Sequence, residues 1–148
     1  MNVPVRSYRD LLVWKAAIEI AVDCYSTTKT FPNNEMYGMT SQLRRSSASI
    51  AANIAEGYGR ELRGSFIQFL RIAQGSLKEL ETHVVLCGRV GLMVENDVAR
   101  LLGLADDLGK NAAFDDPQFA AKALMMTQPY YSYSLLTTHY SLLRRGAA

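Results

Sequence analysis

The sequence predicts an all-α fold, an antiparallel up-and-down four-helix bundle with a C-terminal extension of open structure. Three observations carry this. Four stretches repeat apolar residues at alternating steps of three and four, the period of a helix buried on one side. The connections between them are short, which makes neighbouring helices antiparallel. No stretch alternates apolar and polar residues as a half-buried strand does. The chain has 148 residues, 49 % of them hydrophobic, enough for one core of its own. Residues 1–112 read as the bundle and residues 113–148 as the extension.

Ser7, with Asp10 three residues on, forms a variant of the capping box. It predicts a first helix from about Tyr8 to Thr28, with Leu11, Trp14, Ile18, Ala21 and Tyr25 facing the core and Leu12 and Val22 widening the stripe. Phe31-Pro32-Asn33-Asn34 is a turn, and either asparagine is suited to cap the second helix. That helix runs from about Glu35 to Glu56 on a core row of Met36, Met39, Leu43, Ser47, Ile50 and Ile54. Gly57-Tyr58-Gly59 is its expected stop. Ser65 with Gln68 reads as a capping box for the third helix. Phe66, Leu70, Ala73, Leu77, Leu80, Val84 and Cys87 then hold a strict alternation of four and three, the pattern of near-parallel packing at about 20°. Gly88 and Gly91 mark its end. Asn96 caps the fourth helix, Asp97 supports its first turn, and Val98, Leu101, Leu102, Ala105, Leu108 and Ala112 face inward. Asp115-Asp116-Pro117 starts a short helix, Gln118 to Met126. The last stretch, Tyr130 to Leu143, has no clear period. Packing on the bundle, extending a neighbour and remaining loose are all open to it.

Several function classes are excluded. The glycines from Gly57 to Gly64 lack the spacing of a dinucleotide or phosphate loop, and a helix rather than a strand precedes them. Cys24 and Cys87 stand alone in apolar helical patterns, as buried thiols of a reducing compartment do. His83 and His139 belong to no catalytic set. A metal site of the bundle type needs Glu-x-x-His on two helices, whereas here Glu79 precedes His83 by four and no second motif exists. No enzyme activity, cofactor or metal is expected. The most apolar run, Val84 to Val94, is broken by Arg89 and too short for a bilayer. No secretory signal pattern opens the chain, so the expectation is a cytoplasmic protein without membrane association.

Beside the apolar row of the second helix runs a polar one: Gln42, Arg45, Ser49, Asn53 and Glu56. Its steps of three and four place it on one face. The structural reading is a network to Ser76 and Glu79 of the third helix that sets their register, with Glu56 also within reach of Arg45 or Arg60. The functional reading is a ligand site. The small residues between the rows let another backbone approach.

Tyr8-Arg9-Asp10-Leu11, Trp14-Lys15, Tyr37-Gly38-Met39-Thr40-Ser41-Gln42-Leu43-Arg44-Arg45, Ser49-Ile50-Ala51-Ala52-Asn53-Ile54-Ala55-Glu56-Gly57 and Ile72-Ala73-Gln74-Gly75-Ser76-Leu77-Lys78-Glu79-Leu80-Glu81 together resemble the four-helix-bundle family of 23S ribosomal RNA intervening sequences. More distantly they are similar to the accessory variability determinant of diversity-generating retroelements. The resemblance covers about residues 8–112. It implies a small bundle assembling as a ring, commonly a homopentamer, with nucleic-acid binding suggested. The tail departs from it.

Net charge is +2, from 16 basic and 14 acidic residues, too little to argue nucleic-acid binding by itself. A ring copies each basic patch, however, and makes it multivalent. Arg44, Arg60 and Arg63 are the candidate contacts to an RNA or DNA backbone, as residues flanking the end of the second helix. The alternative is an assembly or scaffold module, with a protein partner and no nucleic acid.

Overall fold

The computed structural model describes residues 5–60 and 62–112. They form four α-helices: α1 (Leu12–Thr27), α2 (Met39–Gly59), α3 (Arg63–Arg89) and α4 (Glu95–Ala112). No strand occurs among the described residues. α1 and α3 each pack on both α2 and α4, and the α2–α3 seam is the most extensive. Arg45 meets Glu79 while Ser49 meets Ser76. Residue numbers rise on one helix as they fall on the other, so the pair is antiparallel. The short helix expected at Gln118–Met126, the stretch Tyr130–Leu143 and the side chain of Ala112 lie outside the described residues.

The α3 row behaves as its period dictates, and all seven residues from Phe66 to Cys87 are buried. Leu43, Ile50 and Ile54 of α2 face them, with Leu101, Ala105 and Leu108 of α4. Val98 and Leu102 pack at the edge of this core. Leu11, Phe31 and Met93 are buried against the same cluster from the connecting segments.

α1 is rotated from expectation. Its buried row is Val13, Ala17, Ile20, Cys24 and Thr27, while Trp14, Ile18 and Ala21 are only half-buried and Tyr25 and Val22 are 46 % and 59 % exposed. Both rows are apolar at helical spacing, so hydropathy alone does not choose between them. Polar anchors on either side choose. Arg100 of α4 binds Asp23 (2.8 Å) and Thr27 (3.1 Å), and Arg44 of α2 binds Thr28 (2.9 Å) and stacks over Tyr25. The slimmer row then lies inward, and the bulky amphipathic rings stay at the rim.

The helix ends also differ from the expected ones. The Ser7–Asp10 capping box is present, but it closes a single 3-10 turn, Tyr8–Asp10. Leu11 is extended and fully buried, and α1 begins only after it. Asn33 and Asn34 fall in a 3-10 turn and do not cap α2. Glu35 does that work, its carboxylate accepting from the Met39 amide at 3.0 Å, where the helix dipole favours an anion. Met36 is consequently outside α2 and half exposed. α2 continues through Gly57 to Gly59. α3 begins at Arg63 with no side-chain cap, so Ser65 and Gln68 lie within its first turns. Val94 accepts from the Asp97 and Val98 amides, which places Asn96 inside the first turn of α4. At the end of α3, Gly91 at φ +77° completes a Schellman motif. The Leu92 amide donates to Cys87 (2.9 Å) and the Gly91 amide to Gly88 (3.3 Å).

Candidate functional site

The polar row of α2 meets α3 in two separate groups. In the inner group Asn53 donates to the Ser49 carbonyl (2.8 Å) and to its hydroxyl (3.0 Å). The Ser49 hydroxyl lies 2.9 Å from that of Ser76, which also reaches the Ile72 carbonyl at 3.3 Å. The Ser49 oxygen accepts from Asn53, and either serine can supply the proton they share. The connected network strengthens its members and pins the register of α2 on α3. The outer group is Arg45, donating to Glu79 of α3 and to Gln42 (3.1 Å). Arg45 is largely exposed, so solvent screens this pair.

Glu56 stands apart from the row. It binds Arg60 one turn on along α2, at 2.7 Å with both side chains more than half exposed, and no hydrogen bond carries it to α3. One helix turn gives Glu56 a basic partner without any movement of α3, and that local pair prevails.

The three arginines expected to contact nucleic acid do not converge. Arg44 sits beside the end of α1, committed to Thr28 and Tyr25, about 24 Å along α2 from Arg60 at the helical rise. Arg60 pairs with Glu56 and covers the ring of Phe69. Arg63 is exposed as the first residue of α3. What the fold does gather at that end, where α1 begins and α2 stops, is a wider basic set. Arg6 and Arg9, on a segment packed against α1 and α2, are exposed there together with Arg60 and Arg63.

The sequence profile described as 23S rRNA-intervening sequence protein matches residues 9–113, well over half of the chain. The chain belongs to the 23S rRNA-intervening sequence protein family. Among functionally curated proteins none matches the chain. The family match spans all four helices and ends one residue after Ala112.

In this family member, sequence reasoning missed the cluster that ties α4 to α1. Arg100 donates to Asp23, Asp97 (2.6 Å) and Thr27. The hydrogen bond to Asp23, helped by that to Asp97, raises the guanidinium pKa above its already high value. Two of the partners lie more than seventy residues from Arg100, and no local pattern links them. Cys24 and Cys87 are fully buried. Burial pushes both thiols up to about 11, the opposite of what a nucleophile or metal ligand requires. His83 has its Nδ1 shielded from solvent without a hydrogen-bond partner among the described residues. Among the described residues no three of His, Cys, Asp and Glu gather as a metal would need. No helix among them is long and apolar enough to cross a membrane.

Proposed function

We propose that the chain is a non-enzymatic assembly module whose bundles join side by side into a closed homo-oligomer, five copies being the number its family resemblance implies. The outward face of α1 and α2 is the observation that carries this reading. Ser41, Ala48 and Ala52 are exposed on α2, and the neighbouring flank of α1 presents Ile18, Ala21, Val22 and Tyr25, half-buried or exposed. Small side chains permit close approach of a second helix, and the apolar flank supplies area to bury. Light scattering at micromolar concentration tests it. The wild type runs as an oligomer, and Ala48→Glu with Ala52→Glu runs as a monomer of unchanged helical content. A monomeric wild type overturns the reading.

A second reading, binding of an RNA or DNA backbone, is favoured by the basic set of Arg6, Arg9, Arg60 and Arg63 at one end of the bundle. Closure of a ring multiplies that set, so affinity falls steeply with salt. Contacts of this kind position a chain without reading its bases. A gel shift with structured RNA at two salt concentrations is the test. Arg60→Glu with Arg63→Glu abolishes the shift and leaves the oligomer intact. No shift at low salt leaves the assembly module, with a protein partner, as the function.

A further inference from the structure

Large apolar side chains are exposed at the end of the bundle opposite the basic set. Met36 and Tyr37 stand there on the connection from α1 to α2, 50 % and 94 % exposed. Leu86 and Val90 end α3, and Val94 precedes α4, at 42 %, 58 % and 67 %. The antiparallel pairs Arg45–Glu79 and Ser49–Ser76, followed along both helices, bring the start of α2 to the end of α3, so the two connections share one end of the bundle. Exposed apolar area gathered in one place marks a surface that something covers.

We propose that the covering element is the chain's own segment 130–143. Composition is the first argument. That segment holds four tyrosines and four leucines, and its one titratable group besides the tyrosines is His139. Side chains of this kind match an apolar surface rimmed by polar groups. Reach is the second. The segment is joined to α4 at the far end of the bundle and must return along it, a distance of about 27 Å for a helix of this length. The intervening residues 113–129 could span about 56 Å fully extended, about twice that distance, so the return does not require a fully stretched chain. Charge is the third. Arg144 and Arg145 follow the segment directly, and Glu95, exposed at the start of α4, presents a carboxylate at this end of the bundle. Tethering makes the contact intramolecular, which favours it over the same contact from another copy.

Cross-linking in the full chain tests this independently of the oligomer. A benzophenone amino acid replaces Tyr37, which is almost fully exposed, and the sample mixes chains of natural isotopes with chains labelled with nitrogen-15. After irradiation and digestion, the expected product joins position 37 to a peptide from 130–143 of the same isotope. Leu135→Asp with Leu142→Asp abolishes that product without changing helical content. Products of mixed isotope place another copy on the surface and overturn the proposal, as does cross-linking to any other segment or to none.

Discussion

Gly57 lies inside α2 with no room for a side chain. A Cβ there would stand 2.6 Å from Phe69 Cβ and 3.2 Å from a Phe66 ring carbon. The absent side chain is what lets α3 close on α2, so the residue that reads as a helix stop is a contact residue. Gly57→Ala should therefore destabilise the protein by about 1–3 kcal/mol despite the better helix propensity of alanine. Gly75, exposed on α3 with nothing within 4 Å of a built Cβ, predicts the opposite sign. Gly75→Ala should stabilise by about 0.5–1 kcal/mol. Urea titrations of the two variants decide both. Cys24 gives a pH dependence. Its thiol is raised from 9.0 to about 11 by burial, against the hydrogen bond with Ser47. The unfolded thiol loses its proton near the lower value and the folded one near the higher, so the folded state holds more protons between them. Stability is whole below the unfolded pKa and falls as pH rises through that window, by about 1.4 kcal/mol per unit at most. Thermal melts of the wild type and Cys24→Ala above pH 8 should converge as pH rises, because the variant lacks this loss.

Along the α2–α3 seam the two groups differ in worth. The Asn53–Ser49–Ser76 chain is partly shielded from solvent. Removing the Asn53 amide takes away one of the two side-chain partners of the Ser49 hydroxyl, and Asn53→Leu should cost about 0.5–1.5 kcal/mol. Glu56 and Arg60 form an exposed pair within one helix. Glu56→Ala should change stability by less than about 0.5 kcal/mol. Denaturant midpoints measured side by side test this ordering. A larger loss from Glu56→Ala would mean that a neighbour outside the chain buries that carboxylate. On α1 the anchors Asp23, Thr27 and Thr28 play the matching part, setting which apolar row turns inward.

The assembled molecule has two unlike ends and one outward face suited to packing. Basic residues collect where α1 begins and α2 stops, and apolar residues collect where α2 begins and α3 stops. A ring formed through the α1–α2 face would repeat the two ends on opposite rims. If assembly is coupled to folding, the melting temperature of the wild type rises with protein concentration, as mass action requires. The Ala48→Glu, Ala52→Glu variant then melts lower and at a temperature independent of concentration. Calorimetry over a hundredfold concentration range makes the comparison.

The sequence by itself determined the fold class, the family and the inward row of α3, because each rests on information contained in one helix or one motif. The row from Phe66 to Cys87 has no apolar competitor at the same period, and every member is buried. The chemistry of the polar row was legible as well, since Ser49, Asn53 and Arg45 share a face at fixed helical steps. Which of them reaches α3 was not, because Glu56 has the same spacing and takes a local partner. The tertiary structure decided the rotation of α1, where two apolar rows compete and Arg100 and Arg44 break the tie from distant parts of the chain. It also decided the meaning of Gly57, whose role depends on Phe66 and Phe69 of a neighbouring helix. In each case the deciding contact joins residues that no single period connects, and only packing brings them together.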